Sequence, residues 1–149
     1  MIVVVPLCIW AAVIAWYDIR YRRVPNAALI LVLVPAILAL AIQGKGLLGE
    51  MPLGSIVGAV LGFALTLPGY VMRRFGAGDV KFAAVLGLLM GMVRGFELVL
   101  GASLLMGATA VLLLALKRSA QSKFPAAPML AVAFVVEMLC GPLLLGAGM

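Results

Sequence analysis

Long apolar runs separated by short polar stretches dominate this chain. Most of the runs approach the roughly 20 residues that a helix needs to cross a bilayer. The first run lacks the basic start and small-residue cleavage site of a secretory signal, so it is interpreted as a retained span. The pattern predicts six membrane-spanning helices, which run approximately from Ile2 to Tyr17, Ala27 to Gln43, Ser55 to Met72, Val80 to Val93, Phe96 to Leu116, and Pro128 to Gly146.

The composition excludes a soluble fold. Hydrophobic residues make up 66% of the chain and charged residues 11%, whereas soluble domains are about 45–50% apolar. A chain of 149 residues cannot bury that much apolar surface in a soluble core. We therefore predict an all-α, multi-pass membrane protein whose residues 1–149 form a single transmembrane domain.

The positive charges alternate between the loops, and this alternation predicts the topology. The five successive loops carry 3, 1, 3, 1 and 3 Lys or Arg residues when the first turn after loop three is counted with that loop. The positive-inside rule places loops one, three and five in the cytoplasm and both termini outside. The charge therefore indicates a lipid bilayer as the partner and gives no reason to expect nucleic acid. The residues counted are Arg20, Arg22 and Arg23; Lys45; Arg73, Arg74 and Lys81; Arg94; and Lys117, Arg118 and Lys123.

Two of the five acidic residues, Asp18 and Asp79, fall at the same predicted membrane face. Carboxylates inside a membrane are costly and are functional candidates. The segment from Val80 to Val93 has 14 residues, and such a helix is only about 21 Å long. Asp79 is therefore predicted to lie partly submerged, with Gly76 and Gly78 permitting irregular backbone beside a protein-lined cavity. Thinning of the bilayer is the alternative way to accommodate the short span.

A pair of aspartates at one depth can carry out aspartic-protease chemistry. Carboxylates about 4 Å apart repel by about 4 kcal/mol at an effective dielectric constant near 20, so the pair shares one proton. The ionised member takes a proton from water while the protonated member polarises the scissile carbonyl. The sequence does not assign these two roles. It contains no histidine, and we expect neither a metal nor a cofactor.

Each aspartate also has a simpler interpretation. Asp79 is a suitable N-cap for a helix that starts at Val80. Asp18 could neutralise the neighbouring arginines at the membrane interface. Two acids at matched depth in a chain with few acids favour a site over two independent structural roles.

Three motifs in order resemble those of the type IV prepilin peptidases. The first is DIRYRRVPN at residues 18–26, and the second is GAGDVK at residues 76–81, which contains a GxGD signature. The third, KFPAAP at residues 123–128, is similar to the proline-rich start of the family's last helix. An unrelated intramembrane protease family also uses GxGD, so the pairing with the first motif makes the resemblance specific.

This resemblance implies that Asp18 and Asp79 are the catalytic residues of an endopeptidase. Members of the family remove a short basic leader from prepilins at the cytoplasmic face of the membrane. The chain lacks the insertion with paired CxxC motifs found in bifunctional members, which puts N-methyltransferase activity in doubt. It is most similar to the short enzymes of tight-adherence (Flp) pilus systems in the bacterial inner membrane, ahead of archaeal preflagellin peptidases.

Two functions of other classes stay open. One is a non-catalytic assembly protein that keeps the scaffold and binds pilin helices. The other is a small ion- or proton-conducting protein whose carboxylates line a water path. Neither the substrate pilin nor the oligomeric state follows from the sequence.

Several residues outside the aspartate pair carry further predictions. Pro25 and Asn26 are expected to end the first loop and start the second helix. Lys81 is interpreted as an interfacial anchor or as a partner of a carboxylate. Two glycine series with GxxxG spacing, Gly54, Gly58 and Gly62, and Gly87, Gly91 and Gly95, predict close helix packing within the chain or, less favoured, a dimer interface.

The remaining acids and the cysteines are assigned structural roles. Glu137, in the middle of the sixth segment, is expected to be a protonated interior residue whose partner the sequence does not identify. Glu97 is expected to form an exposed helix pair with Arg94, and Glu50 to be a loop residue. The cysteines, Cys8 and Cys140, are interpreted as buried apolar residues, with a disulfide as the less favoured alternative.

Overall fold

The protein is an all-helical bundle in the computed structural model. The structure describes residues 3–73, 75–115 and 126–141, and no strand occurs among them. The prediction of an all-α fold is therefore confirmed for these residues. The five helices are α1 (Val4–Tyr21), α2 (Asn26–Gln43), α3 (Pro52–Val71), α4 (Ala77–Ala115) and α5 (Ala127–Cys140).

Four of the helices are long and apolar enough to cross a membrane. These are α1, α2, α3 and α4, whereas α5 is a shorter apolar helix. The outer surface fits a lipid environment, as α1 shows: Val5, Ile9, Val13 and Trp16 recur along one face and are each more than half exposed. The count of six spans and the orientation of the termini stay predictions, because the chain ends and the loop with Lys117, Arg118 and Lys123 lie outside the described residues.

Prolines and left-handed residues set the helix boundaries near the site. The helix α1 ends at Tyr21 and is followed by Arg22, whose φ of 52° is left-handed. Pro25 is extended, and α2 begins at Asn26 directly after it, as the sequence predicts. Pro52 starts α3, where its missing N–H costs no hydrogen bond. The third helix therefore begins three residues before the predicted Ser55.

The helix α4 folds back on itself at Gly91. Gly91 has non-helical dihedrals, φ 76° and ψ −171°, and a Cβ added to Gly95 would lie 3.2 Å from the Cα of Gly87. Eight residues of straight helix would separate those two positions by about 12 Å. We divide α4 into a first arm (77–90) and a second arm (92–115). The predicted loop at Arg94 is wrong: the reversal comes three residues earlier, and Arg94 lies within helix.

Glycines allow α3 to approach the first arm of α4 with their backbones in contact. A Cβ on Gly58 would collide with the carbonyl oxygens of Gly87 and Gly91, and a Cβ on Gly62 would collide with the carbonyl oxygen of Ala83. Small residues at this spacing permit such close helix pairs. The prediction of packing within the chain is confirmed for these positions. Gly54 does not take part, because a Cβ there would have only a Glu50 oxygen near it, 4.0 Å away.

Two aromatic residues connect the first two helices to α4. The Trp10 indole Nε1–H of α1 donates to the Ala28 carbonyl oxygen of α2 at 2.7 Å. The Trp10 ring also meets Phe82 of α4 edge-on, with ring centroids 5.5 Å apart. Phe82 is fully buried. These contacts fix the middle of α1 against the starts of α2 and α4. Asp18 lies further along α1, and Asp79 lies in the first turn of α4.

Candidate active site

Asp18 and Asp79 line one cavity at the end of the bundle where α1 ends and α2 and α4 begin. The cavity has a volume of about 280 Å³. The predicted motif residues Pro25, Asn26, Gly76, Gly78 and Lys81 all lie at this end, and all except Pro25 line the cavity wall. The full lining is Asp18, Arg22, Arg23, Val24, Asn26, Gly76, Ala77, Gly78, Asp79 and Lys81. The two signatures, 18–26 and 76–81, therefore form a single site.

Asp79 is held by the turn that precedes it. The helix begins at Ala77, so Asp79 is its third residue rather than the N-cap of a helix at Val80. Its Oδ2 accepts the Gly76 N–H at 2.9 Å, which is the backward reach of a capping box. Its Oδ1 is buried and has no hydrogen-bond partner among the described residues. One oxygen thus holds the turn, and the other takes no part in holding it.

Asp18 reaches the same cavity from the last turn of α1. Its side chain is buried, and Oδ2 lacks a hydrogen-bond partner within the described part of the chain. Its carbonyl oxygen accepts the Arg22 N–H at 2.7 Å, which closes the end of the helix. The predicted interfacial role does not account for a carboxylate that is only 5% exposed, since neutralising surface arginines would not require burial.

The backbone N–H of Ala127, the first residue of α5, interacts with both carboxylates. Both aspartates therefore lie near the start of α5 as well as in one cavity. First-turn N–H groups have no partner within their own helix and attract negative charge. Sequence reasoning missed Ala127, because a backbone donor carries no residue signal. The proline at residue 128, which marks a helix start, was the available clue.

Gly78 brings the two signatures into direct contact. A Cβ at Gly78 would lie 2.8 Å from the Cβ of Val24 and 3.3 Å from its backbone nitrogen. Any larger residue would push the loop after α1 away from the start of α4. The glycine is therefore required by the approach of the Val24 loop rather than by irregular backbone, which was its predicted role.

Lys81 and Asn26 form a polar pair at the rim of the cavity. The Lys81 ammonium donates to Asn26 Oδ1 at 3.5 Å, and the contact is exposed. This pairing joins the start of α2 to the first turn of α4. Neither predicted role of Lys81, membrane anchor or carboxylate partner, is tested by this contact.

Glu97 and Glu137 form a second acidic pair, away from the aspartate cavity. Their side chains hydrogen-bond to each other, with Arg94 close enough to act on Glu137. Glu97 is 2% exposed, so the prediction that it is an exposed residue is wrong. Glu137 lies ten residues beyond Ala127, about 15 Å further along α5. The unidentified partner of Glu137 is thus Glu97.

The pair of Glu97 and Glu137 predicts that two substitutions at Glu137 differ in their effect on stability. Two carboxyl groups can hydrogen-bond only if one carries a proton, and glutamine supplies the same donor permanently. Glu137→Ala should lower the free energy of unfolding by about 1–3 kcal/mol, because it removes a buried hydrogen bond and leaves a cavity. Glu137→Gln should stay close to wild type. Unfolding in detergent micelles measures both, and equal losses would contradict a hydrogen-bonded pair.

The remaining predicted residues lie away from the aspartates. Glu50 packs against the reversal of α4: a Cβ on Gly91 would meet its carboxylate carbon at 2.9 Å. It is thus more than an ordinary loop residue. Cys8 and Cys140 are both free thiols, so the disulfide alternative is wrong. Cys140 is exposed, which also corrects its predicted burial.

Comparison with known proteins identifies a family for most of the chain. A model of the type IV leader peptidase family matches residues 5–112. The match contains both signatures and ends before α5. No curated protein matches the chain, and no solved structure does.

Proposed function

Because the chain belongs to the type IV leader peptidase family, we propose that it removes prepilin leaders with Asp18 and Asp79 as the catalytic pair. Family membership makes the protein a peptidase, and it implies a prepilin substrate. The observation that carries the catalytic assignment is the shared cavity: two buried carboxylates from separate motifs line it, each with one oxygen lacking a hydrogen-bond partner among the described residues.

The proposed reaction is water addition followed by cleavage of the peptide bond. The ionised aspartate takes a proton from a water molecule, whose oxygen attacks the scissile carbonyl carbon. The protonated aspartate gives its proton to the carbonyl oxygen as the tetrahedral intermediate forms. The C–N bond then breaks as the leaving nitrogen takes the proton that the first aspartate removed from water. A hydroxyl of the intermediate gives its proton to the second aspartate, which had protonated the carbonyl oxygen. One shared proton remains on the pair, ready for the next cycle.

The surroundings of the pair support this chemistry. Burial in one cavity favours a state in which the two carboxyl groups share a proton, since two charges there would repel. The Ala127 N–H, which interacts with both groups, stabilises the ionised member. The basic residues Arg22, Arg23 and Lys81 at the cavity wall fit a cytoplasmic location under the positive-inside rule.

We also propose where the protein lies and which type of prepilin it cleaves. We place the protein in the bacterial inner membrane, with the cavity open to the cytoplasm and a Flp-type prepilin as substrate. The sequence has only two cysteines, Cys8 and Cys140, so it lacks paired CxxC motifs. The proposed reaction therefore ends at cleavage, without methyl transfer to the new N-terminus.

Purified protein in lipid vesicles tests the proposal directly. Flp-type and other type IV prepilins are added, and each product is sized by electrophoresis and its N-terminus determined by mass spectrometry. We expect loss of the leader, an unmethylated new N-terminus in the presence of S-adenosylmethionine, and faster cleavage of Flp-type prepilins. Binding of prepilin with no cleavage would favour the non-catalytic assembly protein, and proton flux without any pilin would favour the conducting protein.

A further inference from the structure

An apolar groove runs along the bundle between α2 and the packed pair of α3 and α4. Its volume is about 500 Å³, compared with about 280 Å³ for the aspartate cavity. The tight glycine contacts hold α3 against α4, whereas α2 contacts α4 much less extensively. The groove is the space that this looser packing leaves. Its apolar wall includes Leu33, Ile37, Ala59, Phe63, Ala84 and Leu88.

The groove leads into the aspartate cavity. Asn26 and Lys81 line both spaces, and they hydrogen-bond to each other at 3.5 Å. From Asn26 the groove extends to Ile37, eleven residues further along α2, or about 16 Å. That length accommodates about three turns of a helix.

A substrate helix that ends at the protease site would need polar partners at this junction. The first four N–H groups of any helix have no partner within the helix, and such groups cannot stay unsatisfied in lipid. Asn26 Oδ1 is an acceptor for one of them. The Lys81 ammonium is a donor for a carbonyl oxygen of the extended segment that precedes the helix.

We propose that this groove binds the apolar helix of the prepilin, and that Asn26 and Lys81 hold its backbone where the helix meets the extended cleavage segment. The inference rests on the proposed function and adds the position and orientation of the substrate. The substrate helix lies beside α2, α3 and the first arm of α4, with its N-terminus at Asp18 and Asp79. The substrate is then recognised in two ways: the groove binds its apolar helix, and Asn26 and Lys81 bind the backbone at the N-terminus of that helix.

A pair of matched alanine substitutions tests the groove. Ala59 lines it, while Ala15 lines a separate apolar groove of about 380 Å³ between α1 and α5. Each is replaced by phenylalanine, and kcat/KM is measured for a full-length prepilin and for a peptide that ends six residues after the cleavage point. Ala59→Phe should reduce the preference for full-length prepilin about tenfold, mainly through KM, whereas Ala15→Phe should leave that preference unchanged. Equal effects of the two, or no effect of Ala59→Phe, would overturn the inference.

Cross-linking tests the same groove without the Ala59→Phe substitution, in case that variant does not fold. The background is Cys8→Ser and Cys140→Ser, with Asp79→Asn to keep the substrate uncleaved. A prepilin with single cysteines along its apolar helix should form disulfides with Ala59→Cys at a three- to four-residue spacing, and not with Ala15→Cys. Adducts at Ala15→Cys, or none with Ala59→Cys, overturn the groove. If wild-type protein cleaves prepilin while these results fail, only the groove is wrong; if it cleaves no prepilin, the proposed function fails.

Discussion

Asp79→Asn and Asp18→Asn should each lower kcat for prepilin cleavage by about 10³-fold, within the range that positioned acid–base groups contribute. Asparagine cannot exchange the proton that the pair passes between water, substrate and leaving group. The double variant should be no slower than either single one, because residues that act as a unit are not additive. Steady-state cleavage in vesicles, with prepilin well above its KM, measures kcat for all three variants.

The fold should survive these substitutions, and this keeps the result interpretable. Asparagine retains a side-chain oxygen, so Asp79→Asn can still accept the Gly76 N–H that holds the turn. The matched control is Glu137→Gln, the same chemical change in a buried acid that does not line the aspartate cavity; its kcat should stay within about twofold of wild type. Wild-type cleavage by either aspartate variant would refute the proposed pair, and an equal loss with Glu137→Gln would point to a general effect of burial.

Gly58→Ala should destabilise the protein by at least about 2 kcal/mol, toward the upper part of the range for overpacked positions. The new methyl group would meet the backbone carbonyl oxygens of Gly87 and Gly91, which cannot move aside as a side chain could. To admit it, α3 would have to separate from the first arm of α4. Chemical or thermal unfolding in detergent micelles, followed by circular dichroism, measures the loss.

Gly107→Ala is the matched control for this substitution. Gly107 lies inside the second arm of α4, and a Cβ there would have no atom within 4 Å. Alanine is favoured over glycine inside helices by about 0.5–1 kcal/mol, so this variant should be as stable as wild type or slightly more stable. If Gly58→Ala and Gly107→Ala unfolded alike, the backbone contact between α3 and α4 would not be the reason for the glycine.

The site residues were predictable to the extent that a motif or a helix boundary marked them. Asp18, Asp79, Asn26 and Lys81 stand in two signatures, and the structure brings those signatures to one cavity. The N-cap interpretation of Asp79 was partly right, since one oxygen does close the turn at Gly76. The proline at residue 128 marks a helix start, but it does not show that the Ala127 N–H reaches the aspartates, because every residue except proline has such a group and only the position of α5 selects this one.

The pairing of Glu97 with Glu137, in contrast, could not be predicted from the sequence. Each was interpreted from its own segment, as a surface pair and as an interior acid without an identified partner. The hydrogen bond between them joins α5 to the second arm of α4. Because the two residues are 40 positions apart in the chain, no periodicity within either segment links them.

By itself, the sequence determined the apolar segments, the family and the motif residues, since hydropathy and signatures depend on residues that are neighbours in the chain. The tertiary structure alone decided where α4 reverses, which acids pair, and which backbone N–H reaches the aspartates. It also decided that an apolar groove opens between α2 and α3 and leads into the cavity at Asn26 and Lys81. These features arise from contacts between distant segments, whose geometry depends on how closely the glycines let the helices approach.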